Sequence, residues 1–394
     1  MERVLVVGGS SGIGKSIVIQ LLKKGTTSII VVDRTPIKND DLPDYLQHLF
    51  ESRVIYVYCD LNNCDFEVFN AFDNIDGLFI TAGFGRLKRF EYLNQCEINN
   101  LVKCNLLAPI QIIKHFYYLI NSKNSFYCAV MVSIAGHIVS PFYSVYGSAK
   151  AGLSMFIENV NVELAAQNIN NRILDCSPGH IEGTSFENDI DDYSKTQELS
   201  LEIINNALEK KTLFIPQYNE VYKDVILRYK TNPNSFGIES YKFKESSDRV
   251  NNASQCVIGY LSGTFDLFHI GHLNLLRNAK KHCDYLIVGI HKSGAWKGKE
   301  TFISFEERKE IVAACKYVDK ATESCLEDSD AWNRWHYDKL IVGSDYYGSE
   351  RFIKYESFFQ DKNVEIIYLP YTKTTSSTKL RCVIDEMINN TEQG

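Results

Sequence analysis

The stretch Gly263-Thr264-Phe265-Asp266-Leu267-Phe268-His269-Ile270-Gly271-His272 decides how the second half of this chain folds. An apolar run at 256–261 precedes it and apolar residues at helical spacing follow it, which predicts a strand, a glycine turn and a helix N-terminus. Unpaired N–H groups and positive partial charge gather at a helix N-terminus and favour bound phosphate. His269 and His272 add hydrogen-bond donors there. The pattern favours a phosphate-transfer site, with a zinc pair or plain helix capping as alternatives.

Length, charge and cysteine content limit the classes of protein to consider. The chain has 394 residues, which predicts two domains because single cores seldom exceed about 250–300 residues. A net charge of -7 argues against a broad nucleic-acid surface. Polar residues and a proline interrupt the apolar stretch 126–143, so we expect no membrane span. The chain enters a strand at once, without room for a signal peptide, and its 11 scattered cysteines indicate reduced thiols in a cytoplasmic protein.

A second glycine-rich turn, Gly8 to Gly14, lies between an apolar strand at 4–7 and a helical pattern. Glycines at such a turn let the backbone approach a pyrophosphate, which then sits on the helix N-terminus. The next predicted strand ends in Asp33, whose carboxylate can accept hydrogen bonds from a ribose diol. Arg34 follows and could instead hold a 2′-phosphate. The sequence therefore favours NAD over NADP, with a solvated Asp-Arg pair as the alternative.

Three polar residues further along share one edge of the predicted sheet. Tyr146 and Lys150 lie four residues apart and hence on one helix face. Ser133 follows a predicted strand at 129–132, at the sheet edge where ligands bind in open α/β folds. Together with the glycine turn, Asp60, Ala82-Gly83, Asn105 and Pro178-Gly179, these residues resemble the short-chain dehydrogenase/reductase family over residues 1–230.

This resemblance implies a reductase site. Tyr146 is expected to protonate a carbonyl oxygen as hydride arrives, and the Lys150 ammonium to favour the ionised tyrosine. Ser133 is expected to hold the carbonyl oxygen, and Asn105 a relay water. The resemblance also implies NAD(H) or NADP(H), bound by Gly8, Ser10, Ser11, Gly12, Ile13, Gly14, Asp33, Arg34, Asp60, Leu61, Ala82, Gly83, Tyr146, Lys150, Pro178, Gly179 and Ile181.

Some positions depart from that family or stay open. Val7 stands where the family has threonine, and Ile80-Thr81 replaces an asparagine pair, which affects supporting structure more than chemistry. The cations that follow the fourth strand either grip a substrate phosphate or form a solvated loop: Arg86, Lys88 and Arg89.

Polar composition at 231–254 predicts a linker between a reductase domain at 1–230 and a second domain at 255–394. The fold class we expect is α/β, with two Rossmann-like domains, each a parallel sheet flanked by helices. The second domain resembles the glycerol-3-phosphate cytidylyltransferase group of the HxGH nucleotidyltransferase superfamily. The segments that carry this resemblance are Gly263 to His272, Asp284-Tyr285-Leu286, Lys297-x-Lys299, Ser304-Phe305-Glu306-x-Arg308, Tyr317-Val318-Asp319, Gly343-Ser344-Asp345 and Ser376-Ser377-Thr378-Lys379.

This second resemblance implies that a substrate phosphate attacks the α-phosphorus of CTP. No general base is needed because a phosphomonoester is mostly dianionic at neutral pH (second pKa ~6). His269, His272 and Lys297 are expected to act on the phosphates, with Mg²⁺ bridging them and no metal ligand from the protein. The nucleotide-binding residues implied are Gly263, Thr264, Phe265, His269, His272, Lys299, Gly343, Asp345, Ser376, Ser377 and Thr378.

Other readings of this domain remain. The lysines could form a solvated loop, and the Ser/Thr run an ordinary helix cap. Lys316 and Tyr371 stand where the family has arginine, and Thr374-Thr375 replaces Gly-Ile, which leaves CTP against another triphosphate open.

Joined in one chain, the two domains predict a bifunctional enzyme that makes a CDP-activated polyol. A ketose phosphate, or its CDP derivative, would be reduced, and the phosphate cytidylylated, for teichoic-acid-like or capsule polysaccharide precursors. Alternatively, the first domain binds NAD(H) only to regulate the transferase, or the two activities are unrelated. Both resemblances imply a homodimer or homotetramer.

Overall fold

The computed structural model describes residues 1–37, 42, 44–62, 66–184, 186, 191–247, 250, 256–293, 301–370 and 380. Its internal contacts divide the chain into two compact units, Met1–Ala253 and Ser254–Gly394. Each unit holds a sheet of parallel strands flanked by helices, which confirms the predicted fold class.

The strands of the first unit are β1 (Arg3–Val7), β2 (Ser28–Asp33), β3 (Val54–Tyr58), β4 (Gly77–Ile80), β5 (Tyr127–Met131), β6 (Ile173–Cys176) and β7 (Leu213–Phe214). Its helices are α1 (Gly12–Lys23), α2 (Asp44–Arg53), α3 (Gln95–Val102), α4 (Ala108–His115), α5 (Tyr117–Ile120), α6 (Ser144–Ala166), α7 (Tyr193–Leu208), α8 (Lys223–Thr231) and α9 (Pro233–Ser246). The sheet has the order β3-β2-β1-β4-β5-β6-β7. The chain changes direction between β1 and β4, where open α/β sheets form a ligand crevice.

The inner strands β1, β2, β4, β5 and β6 are buried on both faces, so they are mostly apolar rather than alternating with polar residues. Successive side chains of β1 enter opposite cores: Leu5 and Val7 belong to one apolar cluster, and Val4 and Val6 to the other. Packing on both faces fixes the register and therefore the position of every residue at the carboxyl ends of the strands.

The polar stretch at 231–254, predicted as a linker, contains a helix that belongs to the first unit. Asn232 begins α9, because its side chain accepts from the Ser235 N–H at 3.0 Å. Tyr241 of this helix packs on Phe142 with ring centroids 4.6 Å apart. Helix α9 has no buried residue, so its polar composition resembles that of a linker.

The second unit repeats the plan with a smaller sheet. Its strands are β8 (Ile258–Gly263), β9 (Tyr285–Ile290), β10 (Lys320–Glu323), β11 (Lys339–Gly343) and β12 (Glu365–Leu369), in the order β10-β9-β8-β11-β12. Its helices are α10 (Ile270–Lys280), α11 (Phe305–Ala313), α12 (Asp328–Trp335) and α13 (Glu350–Phe359). The chain again changes direction beside the first strand, β8, so the histidine turn stands at the ligand-binding edge.

Two further observations concern the predicted environment of the chain. Across the residues that the structure describes, no helix has the length and apolar character needed to cross a bilayer. Cys59, Cys96 and Cys256 are disulfide-bonded, which differs from the reduced thiols predicted. Spacing along a chain does not reveal which cysteines meet in the fold. The free cysteines include Cys104, Cys128, Cys176, Cys283, Cys315 and Cys325.

Candidate active sites

The glycine turn after β1 is packed too tightly for side chains at two positions. Gly8 has a φ of 85°, and a Cβ there would lie 2.3 Å from the Ala82 nitrogen. A Cβ on Gly14 would lie 2.0 Å from the Gly8 carbonyl oxygen. The Thr81 hydroxyl donates to the carbonyls of Val7 and Gly8, at 3.1 and 3.0 Å. Thr81 therefore gives this turn the hydroxyl that Val7 lacks, a compensation that the sequence alone did not reveal.

Asp33 stands at the end of β2 and faces the same turn. Its carboxylate accepts from the Ser10 N–H at 3.0 Å and from the Arg34 N–H at 2.6 Å. Each carboxylate oxygen keeps a further lone pair with which it can accept a ribose hydroxyl. Arg34 itself is exposed. The turn therefore fits the adenosine half of a dinucleotide.

The remaining predicted cofactor residues lie at the same edge of the sheet. Ser11 and Ile13 begin α1, Asp60 and Leu61 follow β3, Ala82 and Gly83 follow β4, and Pro178, Gly179 and Ile181 follow β6. Asp60 accepts from the Asn62 N–H at 3.1 Å and so shapes its own turn. Parallel strands bring all of these turns to one side of the sheet.

The four predicted catalytic residues of the first unit come together beside this turn. Tyr146, 5% exposed, is hydrogen-bonded to the Ser133 side chain. The Lys150 ammonium lies 5.8 Å from the centre of the Tyr146 ring and donates to the Met131 carbonyl at 2.7 Å. Burial raises the pKa of Tyr146 to about 12, opposed by the Ser133 hydrogen bond. We expected Lys150 to favour the ionised tyrosine, but in the structure burial is the larger influence.

Asn105 carries an orphaned acceptor at this site. It lies in a π-helical turn (Lys103–Leu107) between α3 and α4, and its amide donates to the carbonyls of Phe84 and Leu101 at 2.8 and 3.0 Å. Its Oδ1 atom is buried with no partner among the described residues. A Cβ on Gly83 would lie 2.8 Å from that oxygen and 3.3 Å from the Lys150 nitrogen. A buried acceptor beside an ammonium fits a bridging water or ligand hydroxyl.

The charge of Lys150 gives the reductase a predicted pH dependence. Burial lowers the pKa of Lys150 to about 8, opposed by Cys104 and Asp175. We propose that the charged ammonium is the form that assists Tyr146, so the fraction of competent protein should fall as the pH rises through about 8. Steady-state kcat for carbonyl reduction, measured from pH 6 to 10, should decline on the alkaline side with that pKa. A rate that still rises above pH 9 would contradict this assignment.

Aromatic side chains close the substrate side of the reductase site. Tyr146 lies between Tyr143 and Phe186, with ring centroids 5.3 and 5.5 Å away. A Cβ on Gly85 would lie 2.5 Å from the Phe186 ring, and a Cβ on Gly12 would lie 3.4 Å from Thr184. Two described residues after β6, Thr184 and Phe186, therefore lie against the glycine turn and the Tyr146 ring.

The sequence offered two roles for the cations after β4, a phosphate contact or a solvated loop. Lys88 fits neither of them. Its side chain is 1% exposed, and the ammonium contacts both Glu97 oxygens, at 3.0 and 3.1 Å. Arg89 pairs with Glu245 of α9 at 2.5 Å. Lys88 and Glu97 therefore form an ion pair in the core, in which the carboxylate neutralises the buried ammonium.

In the second unit the histidine turn is a strand, a turn and a helix N-terminus, as predicted. His269 is the N-cap of α10, and its Nδ1 accepts from the Gly271 N–H at 3.0 Å. The Nδ1 of His272 accepts from the His269 N–H at 3.4 Å, and the two ring centroids lie 4.1 Å apart with their planes inclined by 30°. Burial lowers the pKa of both, that of His272 to about 4. Both imidazoles are therefore neutral at pH 7 with their proton on Nε2, ready to donate.

A buried arginine ties this turn to its neighbours. Arg308 is 0% exposed and donates to the carbonyl oxygens of Thr264, His291, Lys292 and Ile303. Asp266, 4% exposed, accepts from the N–H groups of Phe302 and Ile303 at 3.1 and 3.0 Å. We identified Arg308 from the sequence only as part of a motif. Arg308 is a positioning residue because it donates to carbonyls that lie far apart in the chain.

Replacing Arg308 by lysine should destabilise the second unit. Lysine keeps the charge but cannot reach the same carbonyls with a planar fork, so several buried acceptors lose their donors. We expect the free energy of unfolding to fall by about 2–4 kcal/mol. Chemical denaturation of the full chain, followed by Trp fluorescence, measures this, because all three tryptophans (Trp296, Trp332 and Trp335) lie in residues 254–394. Lys309→Arg, at an exposed position of the same helix, is the matched control and should change little.

The other predicted nucleotide-binding residues are only partly described. Gly343 ends β11 and Asp345 follows it, at the same sheet edge as Gly263 and Thr264. The Phe265 ring is buried in the core at 3% exposure, so only its backbone can contact a ligand. Lys297, Lys299, Tyr371, Thr374, Thr375, Ser376, Ser377 and Thr378 lie outside the described residues. Within the described ranges, no group of three or more His, Cys, Asp or Glu could hold a metal ion.

Comparison with known proteins gives matches for both units. A family model described as short chain dehydrogenase matches residues 2–194, and one described as cytidylyltransferase-like matches residues 260–383. Glycerol-3-phosphate cytidylyltransferase of Bacillus subtilis (strain 168) is 36% identical over 126 residues, 30% of this chain and 90% of the relative. FAD synthase of Archaeoglobus fulgidus is 35% identical over 111 residues, 27% of this chain and 79% of the relative. A solved short-chain dehydrogenase from Sphingobium yanoikuyae in complex with NADPH has 18% identity and a TM-score of 0.48, covering 64% of this chain and 98% of that chain.

The fold, the sites and these matches define two protein classes in one polypeptide. The chain belongs to the cytidylyltransferase-like family through its second unit and carries a short-chain dehydrogenase domain as its first. It is a bifunctional enzyme, an oxidoreductase joined to a cytidylyltransferase.

Proposed function

We propose that this enzyme makes a CDP-activated polyol. One unit reduces the carbonyl of a ketose phosphate, or of its CDP derivative, and the other transfers a cytidylyl group from CTP to the phosphate. The observation that carries the proposal is that one chain contains two candidate sites. Ser133, Tyr146 and Lys150 lie together in the first unit, and the rings of His269 and His272 lie side by side in the second. Products of this kind suit cell-surface polysaccharide or teichoic-acid-like precursors, made in the cytoplasm.

In the reductase, NAD(P)H supplies the hydride when it is bound. The hydroxyls of Ser133 and Tyr146 donate to the carbonyl oxygen, and Tyr146 gives up its proton to the alkoxide. The raised pKa of Tyr146 keeps the tyrosine protonated before the reaction. Lys150, together with a water bound at the Asn105 Oδ1 atom, can then return a proton to Tyr146. We propose NAD(H) over NADP(H), since the Asp33 carboxylate faces the turn while Arg34 is exposed.

In the transferase, a phosphate oxygen of the substrate forms a bond to the α-phosphorus of CTP. The bond from that phosphorus to the β-phosphate oxygen breaks, and pyrophosphate leaves with the electron pair. The two Nε2–H groups donate to phosphate oxygens whose charge increases in the transition state. We propose that Mg²⁺ enters with CTP and is held mainly by its phosphates. From the sequence we add that Lys297 and Lys299 close over the triphosphate and that the Ser376–Thr378 hydroxyls hold it.

The test supplies the full chain with CTP, Mg²⁺, NADH or NADPH and a panel of ketose phosphates. Absorbance at 340 nm follows reduction, and a coupled assay follows pyrophosphate. Omitting CTP decides the order of steps, since reduction that requires CTP means that cytidylylation comes first. Reduction of lipid or steroid ketones alone, without pyrophosphate from any sugar phosphate, would refute the proposal.

A second candidate is that the first unit binds NAD(H) only to regulate the transferase. The hydrogen-bonded Ser133–Tyr146 pair argues against it, because a sensor has no use for a positioned acid. It predicts cytidylyl transfer that responds to NADH without any carbonyl substrate. We also propose that the enzyme is a homodimer or homotetramer, which size-exclusion chromatography with light scattering tests.

A further inference from the structure

Helix α9 brings a lysine to the substrate side of the reductase site. The Lys244 ammonium donates to the Ser140 hydroxyl at 2.6 Å and to the Pro141 carbonyl at 3.1 Å. It lies 5.2 Å from the centre of the Tyr143 ring, and that ring lies 5.3 Å from the Tyr146 ring. Lys244 and Tyr146 therefore both lie against the Tyr143 ring.

The loop that Lys244 contacts adopts an unfavourable backbone conformation. Phe142 has a φ of 67°, in the left-handed region that large side chains rarely occupy. Its ring packs against Tyr241 of α9, and its carbonyl accepts from the Lys88 N–H at 3.0 Å. Strain of this kind persists only where surrounding contacts fix it, and it concentrates at binding sites. Helix α9 therefore helps to fix the loop that leads into Tyr143 and Tyr146.

The charge of Lys244 is not balanced by an acid. Among the described residues no carboxylate pairs with it, and its two hydrogen-bond acceptors are neutral oxygens. The adjacent Glu245 already accepts from Arg89 and from the Tyr241 hydroxyl, at 2.5 and 3.1 Å. Burial lowers the pKa of Lys244 to about 8, so the surroundings disfavour its charge. A bound anion would restore the balance.

We propose that Lys244 binds the phosphate of the carbonyl substrate and makes the reductase selective for phosphorylated ketoses. The inference rests on the proposed reduction of a sugar phosphate or its CDP derivative, whose phosphomonoester or pyrophosphate offers the same chemistry. An ammonium has three N–H donors, and Lys244 uses two on Ser140 and Pro141, which leaves one for the substrate. Lys88 and Arg89 are paired with Glu97 and Glu245, so Lys244 takes the phosphate contact that the sequence offered for them as an alternative to a solvated loop.

A kinetic comparison tests this in the full chain. For Lys244→Ala we expect kcat/KM to fall about 10- to 100-fold with a ketose phosphate, the factor typical of a charged hydrogen bond. With the same ketose without phosphate the loss should be much smaller, because only the loop contacts of Lys244 are removed there. Lys242→Ala, at an exposed position of α9, should change neither rate. Running the assay with and without CTP shows whether the loss concerns the phosphomonoester or the CDP derivative. An equal loss on both ketoses, or no loss on either, overturns the proposal.

Chemical labelling tests the same site without any turnover. An acylating reagent modifies exposed amines, and peptide mass spectrometry reports the rate at each lysine. Inorganic phosphate should slow the labelling of Lys244 several-fold in the wild-type protein and leave Lys242 unchanged. Equal rates at Lys244 with and without phosphate overturn the inference. Protection in an enzyme that reduces no ketose phosphate refutes the proposed function while the anion site stands.

Discussion

Replacing Tyr146 by phenylalanine lowers carbonyl reduction by about 10²–10⁴-fold and leaves cytidylyl transfer unchanged. A positioned general acid contributes a factor of this size. The ring of Tyr146 is packed between Tyr143 and Phe186, and phenylalanine keeps that packing, so the variant loses the hydroxyl that bonds to Ser133 and little else. The loss should appear in kcat, since the hydroxyl is needed most while the proton moves.

The measurement is reduction of the ketose phosphate at saturating NADH, with pyrophosphate release followed in the same sample. Tyr118→Phe serves as the matched control, because Tyr118 is 53% exposed and its hydroxyl donates to the Asp73 carbonyl. Binding of NADH, read from its fluorescence, should survive in Tyr146→Phe. A variant that reduces the substrate at the wild-type rate would show that another group supplies the proton and would favour the regulatory alternative.

The sequence predicted the strands that form continuous apolar runs. Gly77–Ile80 and Tyr285–Ile290 have the bounds that the pattern indicated. The short strand Ile173–Cys176 and the half-buried Lys320–Glu323 were missed, because neither is long enough or apolar enough to stand out from its surroundings. Their place is set by pairing with β5 and β9, and a one-dimensional pattern does not contain that information.

Site residues divide in the same way. The sequence predicted Ser133, Tyr146, Lys150 and the two histidines as site residues because local spacing places them on one helix face or at one turn. Thr81, Arg308 and Lys244 were not assigned their places, because their partners are distant in sequence. The pKa of Tyr146 was also misjudged, since burial depends on the whole fold while the motif shows only the nearby lysine.

Replacing His272 by alanine lowers cytidylyl transfer by about 10²–10³-fold without affecting reduction. This is the typical cost of removing one donor that stabilises charge in a transition state. The structure makes a finer prediction, because the Nδ1 atom of His272 faces the His269 N–H and leaves Nε2–H as the donor. Glutamine places its amide near the Nε2 position and asparagine near Nδ1. His272→Gln should therefore retain more activity than His272→Asn, and the reverse order would contradict the assigned tautomer.

The dependence on pH separates a neutral donor from a charged one. Burial lowers the pKa of His272 to about 4, so the ring stays uncharged throughout the range in which the enzyme can be assayed. Pyrophosphate release should then fall as the pH drops through ~6, where the substrate phosphate gains its second proton and attacks less readily. If an imidazolium carried the reaction, the rate would instead rise over that interval. His282→Ala, at an exposed position just beyond α10, is the control and should show the wild-type pH profile. A change seen only in His272 variants would then be caused by the His269–His272 pair and not by the titration of histidines in general.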